Sequence, residues 1–334
     1  MKDLKEPKTL IEAVRYFSDP DICLQFLIPI VWPDGVTCPH CGAKDAHFIA
    51  TRRIWRCVNR HPLRQFSIKV GTIFEESPLP LDKWMAAIWL IANCKNGISS
   101  MEIHRDLGIT QKSAWFMLHR IRLAMHTGSF KTSFGGSGKE VEVDETFIGG
   151  KARNMHKSVK ARRILGQGHH AKDKVIVMGI LERSPEKGKS KVMTQVIPDR
   201  VKGTVQPIIK KNVMAETALY SDEHGGYCGL EDQYDHQVID HAVAYVDGRV
   251  STNGLENFWS LTKRMLGGTY VSVEPFHLFR YLDEQEFRYN NRGHRKNPVT
   301  DFDRFKMVLS QIVGKRLTYE HLTGKDAARQ AEPF

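Results

Sequence analysis

The chain has 334 residues, room for two or three folded units at roughly 100–200 residues each. A hydrophobic fraction of 41% suffices for packed cores and, with charge spread along the chain, excludes wholesale disorder. Lys and Arg outnumber Asp and Glu by 49 to 38, a net charge of +11, which favours a polyanionic partner because each neutralised phosphate releases counterions.

The N-terminal MKDLKEPKTLIEAVRYF lacks the uninterrupted apolar stretch and small-residue cleavage site of a signal peptide, and residues 1–30 read as a helical segment. The most apolar run, Trp84 to Ala92, is too short to span a bilayer. The expectation is a cytoplasmic chain with no membrane partner. Its six cysteines then point to metal binding rather than disulfides.

Residues 31–75 read as a zinc ribbon. Cys38-Pro-His-Cys41 is a C-x2-C knuckle followed by Gly42, with Cys57 16 positions after Cys41 and His61 four further on. Three thiolates and one imidazole close a tetrahedral structural Zn²⁺ site. Arg60 stands where a second knuckle would place its last cysteine, and arginine cannot bind zinc. His61 is therefore chosen as fourth ligand, ahead of His40 and His47. The bland alternative is a loop with unpaired thiols. Cys23, Cys94 and Cys228 lack neighbouring ligands and are expected in cores.

Residues 80–126 turn helical: Trp84, Ile88 and Ile91 follow i, i+4, i+7 spacing. GISSMEIHRDLGITQKSAWFMLHRIR has the length and punctuation of a helix-turn-helix, with Ser99 or Ser100 capping the first helix, Gly108 turning and Thr110 capping the second. Gln111 and Lys112, with Trp115 or His119, would face a major groove. A helical hairpin of core spacing that never touches DNA is the plain alternative. The Gly/Ser-rich residues 127–139 read as a flexible linker.

From residue 140 to 295 the segments VEVDETFIGG, KVIVMGILE, KVMTQVIP, ALYSD and HQVID read as strands, with GTVQPIIKKNV a short helix and a long helix from about Asn253. This is an α/β domain. Residues 296–334 form a basic helical tail to which the pattern assigns no role.

Three acids carry the chemistry: Asp144 in the first strand, Asp222 ending ALYSD, and Glu256 early in the last helix. Oxygen-rich sites suit Mg²⁺, and two-metal phosphoryl transfer needs carboxylates converging from separate elements. Each has a plainer reading: an edge-strand acid, a turn residue, and a capping box of Asn253 with Glu256. Lys263, seven residues after Glu256, shares its helix face and could hold a phosphate. Lys151 to Arg163 contains six basic residues and no acid, with Lys151, Arg153, Arg162 and Arg163 as candidate DNA contacts. Lys263-Arg264 and Arg288 through Lys296 extend this basic track.

CPHCG, FSIKVGTIFEESPLPLDKW, GITQKSAWFMLHRIR, VEVDETFIGGK, NGLENFWSLTKRMLGGTY and FHLFRYLDEQEFRYNNR together resemble the ISXO-type bacterial insertion-sequence transposases, from about Asp34 to Arg292. VDETFIGGK and ENFWSLTKR are specific; the knuckle and the helical hairpin are generic. The resemblance implies an RNase H-like catalytic domain and binding of terminal inverted repeats in double-stranded DNA. It also implies a DDE reaction with two Mg²⁺ ions, for which Mn²⁺ can substitute. Its first Asp falls on Asp144, the second on Asp222, the third acid on Glu256 and the helix lysine on Lys263. Some relatives use Asn as the third residue, so Asn253 is the alternative to Glu256. The implied enzyme joins two element ends to target DNA, works as a dimer or higher oligomer, and resides with the bacterial nucleoid. The rivals are a DNA-binding regulator descended from such an enzyme and a nuclease without strand transfer.

Overall fold

The computed structural model describes residues 5–126, 133–149, 174–186, 188–239, 251–296 and 298–324. The candidate DNA contacts Lys151, Arg153, Arg162 and Arg163 lie outside these. The chain divides into two units, one of Met1–Thr127 with Val299–Phe334 and one of Gly128–Pro298. No helix among the described residues is long and apolar enough to cross a membrane.

In the first unit, α1 (Leu10–Tyr16) starts with a capping box in which Thr9 and Glu12 satisfy each other's amides. α2 (Pro20–Val31) starts at Asp19, with proline in the turn where an amide hydrogen has no helical partner. Then β1 (Ala46–Ile49), β2 (Ile54–Cys57) and β3 (Gln65–Phe66) pair antiparallel in that order. Buried Trp55 and Phe66 pack with Trp32 from the end of α2, at ring-centre distances of 4.9 and 5.9 Å from the latter. The ribbon therefore has a small aromatic core as well as its cysteines.

Helix α3 (Leu81–Asn93) buries Trp84, Ile88 and Ile91, the positions whose spacing predicts it. α4 (Ser100–Leu107) is capped by Ser99 in a capping box with Glu102, and ends at Gly108, whose φ of +59° a side chain would oppose. α5 (Gln111–Met125) starts at Thr110, which accepts from the Ser113 amide. Of the three cysteines expected in cores, Cys23 is buried and donates to Phe17 O at 3.1 Å. Cys94 is only half-buried and Cys228 is exposed, so the expectation fails for these two.

The second unit begins inside the stretch read as linker. β4 (Phe134–Gly135) buries Phe134, and Gly135 lies so close to Thr217 that a Cβ would come within 2.2 Å of its hydroxyl. Gly135 therefore permits close packing rather than slack. β5 (Glu140–Ile148), β6 (Val175–Glu182) and β7 (Lys191–Ile197) follow, then α6 (Lys202–Asn212), β8 (Val213–Met214), β9 (Ala218–Asp222) and β10 (Asp235–Ile239). β4 pairs with β8 in parallel. The main sheet has the order β10-β9-β5-β6-β7. β5, β6 and β7 are antiparallel neighbours, whereas β9 joins β5 and β10 joins β9 in parallel.

The long final helix expected from the sequence is interrupted. α7 (Asn253–Met265) runs into a π-turn at Leu266–Tyr270, and α8 (Leu278–Asn290) begins after Pro275. Gly267, Gly268 and Pro275 are weak helix formers, which accounts for the break. Both faces of the sheet are covered. Val141, Val143 and Leu219 pack with Val205 and Ile209 of α6, while Val177, Leu181 and Val192 pack with Leu255, Phe258 and Leu282 of α7 and α8.

β7 is an edge strand, and side chains of α8 seal it. The Asn290 amide donates to Val192 O and accepts from Val192 N at 2.8 and 2.7 Å, and Glu286 accepts from Thr194 N at 2.8 Å. Covering an edge in this way removes a template for strand addition. Burial, then the charge of Asp283, pushes the Glu286 carboxyl from its ordinary 4.5 up to about 8. The folded chain therefore holds a proton that the unfolded chain releases. The linked stability is complete below pH 4.5 and lost as pH rises through about 8. Glu286→Gln keeps an acceptor for Thr194 and abolishes this dependence. In melts at stepped pH, the midpoint of the parent chain should fall relative to the variant between those limits; parallel curves would refute it.

The basic tail, left without a role by its pattern, belongs to the first unit. Phe302 and Phe305 of α9 (Asp301–Leu309) join Phe17, Phe26 and Trp89 in an aromatic cluster. Beyond it, Lys315 donates to the Ala124 and His126 carbonyls at the end of α5, and α10 (Tyr319–Leu322) follows.

Candidate active site

Side chains alternate across a strand, and β5 uses this to place acids on both faces of the sheet. Glu142 and Asp144 face α7, while Glu145 faces the α6 side and accepts from the Tyr227 hydroxyl. Asp144 Oδ1 accepts from Glu145 N at 2.8 Å, and its Oδ2 accepts from the Trp259 indole at 3.0 Å. Gly179, opposite Asp144 on β6, makes that contact possible: a Cβ there would lie 2.6 Å from the indole and 2.8 Å from Leu255. Burial, reinforced by the charges of Asp222 and Glu145, pushes the Asp144 carboxyl up to about 6.

Asp222 ends β9, next to β5. Its Oδ1 accepts from His224 N at 3.1 Å and its Oδ2 from Arg200 Nη2 at 3.3 Å. Behind it, Ser221 contacts His236 Nε2 at 2.8 Å, which ties β9 to β10. One carboxylate oxygen from each of Asp144, Glu145 and Asp222 lies within 4.8 Å of the others. Such an all-oxygen set suits a hard divalent cation.

Glu256, on α7, shares a cleft with Asp144 and Glu145 but lies outside the group of three carboxylates at ligand distance. The capping box with Asn253 weighed from the sequence is not formed: Thr252 is the N-cap and makes no side-chain cap bond. The helix N-terminus is instead held by Glu142, which accepts from Leu255 N at 2.8 Å and from Arg183 Nε at 2.6 Å. Gly254 allows this approach, since a Cβ would stand 2.8 Å from both Glu142 oxygens. Glu256 is thereby left exposed on an open cleft of about 450 Å³, to which β5 contributes Asp144, Glu145 and Thr146. α7 contributes Glu256, Trp259, Ser260 and Lys263 to the same cleft. Asn253 is exposed and is not among the lining residues.

In the ribbon, ligand atoms of Cys38, Cys41, Cys57 and His61 lie within 4.8 Å of one another. Cys38 Sγ is 3.5 Å from His61 Nε2, and the Cys41 and Cys57 sulfurs are 3.4 Å apart. A Zn–S bond of about 2.3 Å in tetrahedral geometry sets sulfurs roughly 3.8 Å apart, so the donor set fits zinc. The Asn59 amide donates to Cys41 Sγ at 3.6 Å, the kind of outer contact that orients a ligand.

Gln111 and Lys112 are exposed at the start of α5, the former donating to Ser100 Oγ and the latter 4.4 Å from the Tyr319 ring centre. His119, offered as an exposed alternative to Trp115, is fully buried, because α3, α4 and the tail pack around this helix. Lys263 and Arg264 are exposed. Arg288 leaves the basic track: it is buried and paired with Glu284, Gln285 and Met265. Sequence reading missed Arg200, Tyr227 and Trp259 as parts of the site, and no local spacing marks them. Glu142 and Glu145 were visible only as neighbours of Asp144.

Residues 136–290 match the ISXO2-like transposase domain, and residues 18–59 match the transposase zinc-ribbon domain. The chain is 25% identical over 285 residues to an uncharacterized protein in transposable element ISH50 of Halobacterium salinarum, covering 82% of this chain and 92% of that one. It is 33% identical over 104 residues to an uncharacterized transposase-like protein of Haemophilus influenzae, covering 31% of this chain and 84% of that one. These likenesses define the class as transposase with a zinc ribbon. The chain belongs to the ISXO2-like transposase family.

Proposed function

We propose that the chain is a DNA transposase that binds the terminal inverted repeats of an insertion sequence and cleaves and joins strands at Asp144, Asp222 and Glu256. The observation that carries this is the meeting of Asp144 and Asp222 from adjacent parallel strands, beside a groove where α7 presents Glu256 and Lys263. The strand order supports an RNase H-like domain: three antiparallel strands, then two added in parallel on the far side of the first. Residues 140–295 are its proposed extent, after a ribbon at 31–75 and a helix-turn-helix at 80–126.

Asp144 and Asp222, with Glu256, would hold two Mg²⁺ or Mn²⁺ ions. When bound, these supply activation of the attacking water or 3′-hydroxyl and stabilisation of the leaving oxygen. Trp259 fixes the Asp144 carboxylate, and Glu142 fixes the helix that carries Glu256. Lys263, exposed on the same cleft as Glu256, would hold a scissile-strand phosphate. The α4–α5 hairpin, with Gln111 and Lys112 exposed, would read a major groove, and Zn²⁺ held by Cys38, Cys41, Cys57 and His61 would fold the ribbon. Because two ends must be joined, the working form is a dimer or higher oligomer on DNA, in the cytoplasm with the nucleoid.

The test uses purified protein, Mg²⁺ or Mn²⁺, a labelled duplex bearing the repeat and a supercoiled target. Metal-dependent nicking at the repeat and joining to the plasmid, both lost in Asp222→Asn, are expected. Binding without cleavage points to a regulator; cleavage without joining, to a nuclease.

A further inference from the structure

A cation is already built into the carboxylate cluster. Arg200 lies between β7 and α6, and its guanidinium bridges two strands: Nε donates to Glu145 Oε2 at 2.8 Å and Nη2 to Asp222 Oδ2 at 3.3 Å. The two contacts differ in kind. The Glu145 side chain is fully buried and also accepts from Tyr227, so it is a fixed anchor. Asp222 is a quarter exposed, holds a longer contact, and keeps the His224 amide if that contact is lost. The guanidinium also lies 5.7 Å from the Phe147 ring centre, which holds it near the cluster.

We infer that Arg200 is a positioning residue that neutralises the cluster before a divalent cation binds and then yields Asp222 to that cation while remaining on Glu145. The inference rests on the active-site reading above. It follows that Glu145, though within ligand distance of Asp144 and Asp222, serves as the arginine's anchor. Arg200 opposes cation binding in two ways, by its own positive charge and by occupying an Asp222 oxygen. Removing it also leaves the charge of Glu145 uncompensated, which acts in the same direction. The loss of order at Asp222 is smaller, because His224 N still holds the other oxygen. Arg200 thus holds the cluster together when no metal is present and sets how much metal is needed to fill it.

The test is a calorimetric titration of full-length protein with Mn²⁺, together with thermal melts with and without the metal. Arg200→Gln should melt lower than the parent without metal yet bind Mn²⁺ roughly tenfold more tightly, since an adjacent opposite charge shifts cation occupancy of a carboxylate by at least that factor. Binding that is unchanged or weaker overturns the role. Should this variant fail to fold, Arg200→Lys carries the test. Lysine keeps the charge but cannot bridge two carboxylates as a planar fork, so binding should tighten, by less than in Arg200→Gln, and unchanged or weaker binding again overturns the role. Asp222→Asn in the same titration separates the two readings: if it binds Mn²⁺ as the parent does, the metal site itself is wrong, whatever Arg200 does.

Discussion

Asp144→Asn should abolish metal-dependent strand cleavage, by at least roughly 10³-fold, and at the same time raise the melting point of the metal-free protein by a few degrees. The two effects have one cause. Burial beside Asp222 and Glu145 holds the Asp144 carboxyl at about 6 instead of 3.8, so its ionised form costs the fold about 3 kcal/mol near neutral pH. Asparagine removes that charge. It also turns an NH₂ toward one of two donors, Glu145 N or the Trp259 indole, at a cost of about 1 kcal/mol. The first term wins by about 2 kcal/mol, and added Mg²⁺ should no longer stabilise the variant. Side-by-side melts and nicking assays check both halves. A variant that is inactive because it melts lower than the parent would count against this account of the site.

Stripping zinc, or replacing Cys57 by alanine, should release one zinc per chain and unfold the ribbon while the second unit keeps its own transition. Structural zinc contributes about 10–16 kcal/mol in isolated fingers. The loss here should be smaller, because the Trp32, Trp55 and Phe66 contacts give the ribbon packing energy that does not come from the metal. The expected signature is a change in tryptophan emission and new protease cuts between Cys38 and Arg64, with the second unit intact in the digest. A chelator-treated protein with unchanged emission and digest would mean that the cysteines hold no structural metal.

How much of this was legible beforehand depended on whether the chemistry is local. Cysteine spacing is local, because a knuckle needs a fixed turn, and it led to the four residues whose ligand atoms come together. The run VEVDETFIGG likewise read as a strand carrying Asp144, and β5 covers it as far as Ile148. The parts that support the site were silent, because each acts across long separations. Trp259 meets Asp144 115 positions away, Arg200 meets Glu145 55 away, and Gly179 matters only because an indole lies over it. Gly135 was taken as slack for the same reason, since its neighbour Thr217 is 82 residues on. The tail gave no hint of its packing because Phe302 and Phe305 find their partners in the first ninety residues. His119 was misplaced because α5 is enclosed on more sides than a two-helix motif needs.

The N-terminus of α7 depends on a carboxylate from a strand 113 residues earlier, since its own cap residue supplies no side-chain bond. A helix with that dependence lacks part of its stability until β5 is in place, and long-range contacts of this kind form late. Glu256 and Lys263 therefore take up their positions only once the sheet has assembled. A nascent or partly unfolded chain would lack Glu256 and Lys263 in place together.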